Sequence, residues 1–183
     1  GSLALFGLQF REAVEDVSEL LSVFGDADEE KFRAVMVEAD QRILATAEAF
    51  FKLMSRNGAT LRMVTDAHEF QFGADAIERA VQRADTTKIE EKDPILHGRL
   101  GGALPGSHQI EFRLGGANGE LQKGKVSAEY PAAELERWNR ELVGLDALLS
   151  FHVKRVLRNG DVVRESYLLR KIDLIQPQPI ADA

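Results

Sequence analysis

Five cations, Arg113, Lys123, Lys125, Lys154 and Arg155, are the residues whose types and spacing point most directly to chemistry. Lys123 and Lys125 are two apart, so on a strand they share one face. Such a basic face is a candidate to bind a ligand or the phosphates of a nucleic-acid strand. Signs of catalysis are sparser. The four histidines, His68, His97, His108 and His152, form no H-E-x-x-H or H-x-H pattern, and there is no cysteine. A zinc site would therefore need histidines and carboxylates gathered from separate strands. His97 and His108 flank the Pro105 turn and could meet if their strands pair, but two surface polar residues are the simpler reading. The chain lacks a phosphate-cradling G-x-x-x-x-G-K-[ST], a G-x-G-x-x-G opening a helix and a G-x-S-x-G elbow. Gly101, Gly102, Gly106, Gly115, Gly116 and Gly119 read as turn geometry. Ser107 beside His108 is a sequence neighbour pair, which does not give triad geometry. Glu12, Glu15, Asp16 and Glu19 read as a solvated helix face. No enzyme activity, no metal and no cofactor is expected.

The elements that carry these cations alternate with period two. Leu96, Gly98 and Leu100 alternate with His97 and Arg99 on a first strand near Ile95–Leu104, and Gly101-Gly102 mark a bulge or bend. Pro105-Gly106 is a turn. Ile110, Phe112 and Leu114 alternate with Gln109, Glu111 and Arg113 on the second strand. Asn118-Gly119 closes a loop before a third strand at about Glu120–Ser127. The period then becomes helical. Pro131 opens a helix with Leu135, Trp138 and Leu142 on one side, and Gly144 ends it. A fourth strand, Ala147–Leu157, turns at Asn159-Gly160 into a fifth, Val162–Ile175. Five strands with a helix between the third and fourth match the order of an OB-type barrel. Phe112 reads as core and Trp138 as a plug at the barrel end. Tyr130 and Tyr167 are left as the candidates for exposed rings.

The first half reads as helical. Phe6, Phe10, Ala13, Val17, Leu20 and Phe24 recur at three- and four-residue spacing and predict a helix over Leu3–Phe24, ended by Gly25. Asp26 or Asp28 caps the next. Phe32, Val35, Met36, Ala39, Ile43, Ala47, Phe50 and Met54 predict one long helix, roughly 40 Å at about 1.5 Å per residue, stopped at Asn57-Gly58. Two helices cannot cover both apolar faces, so the barrel, a second copy or missing sequence must do so. Leu61 and Met63, then Phe70 and Phe72, predict a short hairpin turning near Asp66–His68. Asp75 with Glu78 resembles a capping box for a third helix to Ala84.

The fold class is thus α+β: an N-terminal helical hairpin with a short β-hairpin and helix, then a five-stranded OB-like small β-barrel with a helix between strands 3 and 4. Residues 3–84 form the helical assembly region, 85–93 a linker, 94–176 the barrel and 177–183 a disordered tail. Charge divides along the same line. Residues 1–93 hold 11 basic and 19 acidic side chains, and residues 94–176 hold 12 and 10, within a net −7. A +2 barrel is too mild to diagnose nucleic-acid binding. No apolar run approaches the 18 or so residues of a membrane span, and Leu3–Phe10 lacks the flanks of a signal peptide. Gly1-Ser2 without Met reads as a tag scar, so the natural chain is expected to begin earlier. The absence of cysteine fits a reducing cytoplasm, the expected location.

The runs Gly98-Arg99-Leu100-Gly101-Gly102-Ala103-Leu104-Pro105, Phe112-Arg113 and Gly124-Lys125-Val126-Ser127 resemble OB-like barrel segments of uncharacterised bacterial proteins. The resemblance covers under half the chain and implies a fold without an activity. The expected function is non-catalytic binding and assembly. The Phe-rich helical half self-associates into a homo-oligomer and the barrel binds a protein partner. The alternative is a single-stranded nucleic-acid binder using Arg113, Lys123, Lys125, Lys154 and Arg155. The second alternative is an enzyme of unrecognised class, which a deep polar pocket holding a histidine beside a carboxylate would favour.

Overall fold

The computed structural model describes residues 2–66, 69–115 and 118–175, with side chains from residue 14 onward. His68, Gly116, the side chains of Phe6, Phe10, Glu12 and Ala13, and the expected tail 177–183 lie outside the described residues. The described residues form two compact units, those within 1–90 and 155–164, and those within 91–154 and 165–175.

The first unit opens with α1 (Ser2–Gly25). Asp28 caps α2 (Glu29–Met36), its carboxylate accepting from the Glu30 and Lys31 N–H groups. Asp40, extended at φ −110°, caps α3 (Gln41–Arg56) by accepting from the Ile43 N–H at 2.8 Å. The single long helix expected here is therefore two, because the Asp40 carboxylate competes for backbone donors and restarts the helix. The restart shifts the apolar phase by one residue. Leu44 and Phe51 are buried, whereas Ile43 is 37% exposed and Phe50 half-buried. At the other end Asn57 and Gly58, at φ +57°, stop α3 as expected.

A two-stranded hairpin, β1 (Leu61–Val64) and β2 (Glu69–Phe72), leads to α4 (Ala74–Thr86). The α4 N-cap is Gly73, with no side-chain cap, so the Asp75/Glu78 capping box does not form. Residues 85–93, expected as a linker, finish α4 and form β3 (Thr87–Lys92). The cover over the helices comes from within the unit. Phe72, Ile77, Ala80, Ala84, Ile89 and Val156 join Phe24, Phe32, Met36, Leu44 and Phe51 in one core. Arg83, 3% exposed, holds the end of α1: its guanidinium donates to the Val23, Phe24 and Asp26 carbonyls and pairs with Glu29.

The second unit is built from β4 (Ile95–Leu104), β5 (Gln109–Leu114), β6 (Leu121–Val126), α5 (Ala132–Glu141) and most of β7 (Asp146–Arg158) and β8 (Asp161–Leu174). The sheet order is β3-β7-β4-β5-β6-β8, and β8 pairs back to β7. The five strands β4 to β8 therefore close into a barrel with α5 between its third and fourth strands. β6 and β8 run parallel, whereas β4–β5, β4–β7 and β5–β6 are antiparallel. This is the expected α+β, OB-like architecture. The β4–β5 register slips between Leu100 and Gly102, the bulge expected at the double glycine. Asn159 (φ 53°) and Gly160 (φ 89°) turn β7 into β8, a pair of positive φ values that suits the Asn-Gly dipeptide.

Side chains fill the barrel. Leu100, Ile110, Phe112, Leu149, Phe151 and Leu169 are buried, and Leu135, Trp138 and Leu142 of α5 pack with them. Phe112, Phe151 and Tyr167 meet ring to ring, and Tyr130 lies edge-on to Trp138.

Candidate functional site

Strand register builds a grid on the outside of β4, β5 and β6. Arg99, Arg113 and Leu121 form one row; Gly102, Glu111 and Lys123 the next; Leu104, Gln109 and Lys125 the third. These residues point outward because their neighbours Leu100, Ile110 and Phe112 are buried in the barrel. Two apolar side chains stand among the charges, Leu104 at 48% and Leu121 at 41% exposure.

The cations of the grid are not equally available. Arg99 grips Asp146 through two N–H···O contacts of 2.7 and 3.1 Å. That pairing holds the Asp146 carboxyl below its ordinary range and stabilises the charged guanidinium. Arg113 donates to the Gly119 carbonyl at 2.6 Å and pins the loop before β6. Lys123 is open, its side chain 75% exposed and 3.8 Å from Glu111. Lys125 is exposed beside it.

The five cations singled out by sequence therefore separate. Arg113, Lys123 and Lys125 come together. Lys154 is on β7, which neighbours β3, β4 and β8 but neither β5 nor β6. Its side chain is only 16% exposed and is 3.3 Å from Glu91. Arg155 follows it directly, so alternation turns it to the opposite side of the strand, and it belongs to the first unit. Sequence reading missed Arg99, Leu104 and Leu121. Register alone brings Arg99 and Leu121 level with Arg113, and only the β4–β5 and β5–β6 pairings could have revealed it.

The rings fare differently from expectation. Tyr167 packs inside the barrel, and Tyr130 lies over Trp138 with its hydroxyl donating to the Arg170 carbonyl at 3.0 Å. Neither offers an open face on the grid. His97 and His108 sit at opposite ends of the β4–β5 hairpin. The His97 carbonyl accepts from Gly115, and the His108 ring meets the Tyr130 carbonyl at 2.8 Å.

Two histidine–carboxylate contacts stand among the described residues, the longer being His97 Nε2 to Asp146 at 3.6 Å. His152 Nδ1 lies 2.8 Å from Asp93, which is 3.3 Å from Arg170. The His152 hydrogen bond, with Arg170 nearby, keeps the Asp93 carboxyl low. Asp93 is 64% exposed, so this pair is on open surface rather than in a pocket. Among the described residues no group of three histidines or carboxylates could hold a metal ion, and no helix is long and apolar enough to cross a membrane.

In the first unit, Phe32 and Phe51 are fully buried, so the face left on α3 is a different one. Ala45, Glu48, Ala49, Lys52, Leu53 and Arg56 form an open face of that helix. Leu53 is 60% exposed. No family model, curated protein or solved structure matches this chain.

Proposed function

We infer that this protein is a non-catalytic binding module whose β4–β5–β6 face docks an acidic segment of a protein partner. The observation that carries this reading is the grid, with Lys123, Lys125 and Arg113 on one outward face and Leu104 and Leu121 beside them. Cations with interspersed leucines suit an acidic, partly apolar polypeptide, for which charge guides the encounter and apolar burial adds affinity. Single-stranded nucleic acid is the weaker reading, because it draws affinity from bases stacked on open aromatic rings. The five rings of the barrel unit, Phe112, Tyr130, Trp138, Phe151 and Tyr167, are packed against one another.

Self-association of the helical unit is a separate part of the reading. The open α3 face with Leu53 supports it, and the buried phenylalanines do not.

Fluorescence anisotropy tests the docking face. A labelled Glu-rich peptide and a labelled mixed-sequence single-stranded oligonucleotide are titrated at low and moderate salt. The peptide is expected to bind, and Lys123→Glu/Lys125→Glu to abolish its binding. Tight, salt-sensitive oligonucleotide binding with no peptide binding would replace this reading with the nucleic-acid one.

A further inference from the structure

We propose that the acidic partner segment binds as an added β-strand along the open edge of β6 at Leu121–Lys123. This rests on the docking-face reading above and specifies how the partner is held.

The argument begins with ladder parity. The Val126 N–H donates to the His108 carbonyl at 2.9 Å, which makes this an inward-bonding position of the β5–β6 ladder. Antiparallel hydrogen bonds recur at every second residue. Gly124 and Gln122 therefore bond toward β5, while Leu121, Lys123 and Lys125 direct their backbone groups to the other side. The Ser127 N–H, in phase with them, donates to the Leu169 carbonyl of β8 at 2.9 Å.

On that other side β8 covers little. Among the described residues β6 and β8 pair only at Lys125↔Leu168 and Val126↔Leu169. At Gly124 β8 is still alongside: a Cβ there would lie 2.9 Å from the Tyr167 carbonyl oxygen. Leu121–Lys123 thus has a strand on one side alone, an edge to which an extended segment can add through main-chain hydrogen bonds.

One further observation selects the occupant. The outward side chains along this edge, Leu121 and Lys123, with Lys125 continuing the row, call for an acidic and partly apolar strand. The occupant is therefore an extended acidic peptide segment whose alternate residues are carboxylates.

The test uses the whole chain and a fluorescein-labelled peptide of alternating Glu and Val, read by anisotropy. Three changes are compared with the unmodified pair: N-methylation of alternate peptide bonds, Leu121→Pro and Leu121→Ala. N-methylation removes main-chain donors while leaving the protein untouched. Leu121→Pro removes an edge N–H at the first residue of a strand, where proline is tolerated, and Leu121→Ala controls for the lost side chain. Strand addition predicts that N-methylation and Leu121→Pro each weaken binding about tenfold or more, and Leu121→Ala much less. If the N-methylated peptide binds as tightly as the unmodified one, strand addition is wrong while the basic docking face stands. If the unmodified peptide does not bind at low salt, both fail. If a mixed-sequence oligonucleotide displaces bound peptide and binds more tightly, the face belongs to nucleic acid.

Discussion

Asn139 lays its side-chain amide against the backbone of Ala103 like a one-residue strand. Its Oδ1 accepts the Ala103 N–H at 2.7 Å and its Nδ2 donates to the Ala103 carbonyl at 2.8 Å. The β4–β7 ladder covers only Ile95–Arg99, so it does not reach this stretch of β4. One helix side chain thus completes a strand edge.

Asn139→Ala is therefore expected to leave a buried donor and acceptor unpaired, at a cost of about 1–3 kcal/mol. Asn139→Asp keeps the acceptor and loses the donor, so it should fall between. Trp138 is the only tryptophan and sits in the barrel core, so urea unfolding followed by its fluorescence reports the affected unit directly. An unshifted midpoint in Asn139→Ala would mean that water replaces the amide at no cost.

Arg83→Leu should destabilise the first unit by about 3 kcal/mol. It removes the donors that hold the Val23, Phe24 and Asp26 carbonyls while leaving Glu29 with Arg33 and Arg158. Arg83→Lys should recover only part of the loss, because an ammonium cannot serve carbonyls and carboxylate as a planar fork does. Thermal melting followed by far-UV circular dichroism separates the two variants. Equal Tm values for Arg83→Leu and wild type would rule out the pinning role.

Gly98 and Gly102 are close on β4 and should respond unequally to alanine. A Cβ at Gly98 would lie 2.5 Å from the Arg113 carbonyl oxygen, whereas the nearest atom at Gly102 is 4.0 Å away. Gly98→Ala must move backbone and should cost about 1–3 kcal/mol. Gly102→Ala should be close to neutral. Denaturant midpoints of the two variants, measured side by side, provide the comparison.

Acid should weaken the fold through carboxylates held low. Asp146 is lowered by its hydrogen bond from Arg99, Asp93 by His152, Glu134 by Arg137 and Trp138, and Asp26 by the Asp28 N–H and Lys31. A carboxyl with a lower pKa folded than unfolded stabilises fully above its unfolded value, about 4. That contribution fades as pH falls through the folded value. Stability from these groups should therefore be flat above about pH 5 and decline below about pH 4. Asp146→Asn should make the decline shallower for the barrel, read by Trp138 fluorescence. An identical acid slope in Asp146→Asn would remove the Arg99–Asp146 pair from the account.

Much of the barrel was legible because each of its signals is local. The alternation Ile110, Phe112, Leu114, the double glycine at the bulge, Pro131 before a helix and Asn159-Gly160 between long strands each act within a few residues. The helical half was less legible for the same reason in reverse. The apolar spacing from Phe32 to Met54 runs on unbroken, while one carboxylate, Asp40, stops and restarts the helix and so exchanges Ile43 for Leu44 and Phe50 for Phe51 in the core. The polar composition of residues 85–93 read as a linker because the residues that bury Thr87 and Ile89 are distant in sequence.

For the candidate face, the sequence by itself determined that Lys123 and Lys125 lie on one side of a strand and that Phe112 points away from Arg113. Those relations follow from the two-residue pleat. Only the tertiary structure decided which cations meet, because meeting depends on which strand pairs with which and in what register. The β5–β6 ladder brings Arg113, Lys123 and Lys125 together. The closing order of the barrel places Lys154 two strands from that group, and alternation turns Arg155 away from Lys154. The short β6–β8 ladder, two residue pairs among the described residues, is likewise a property of how the barrel closes.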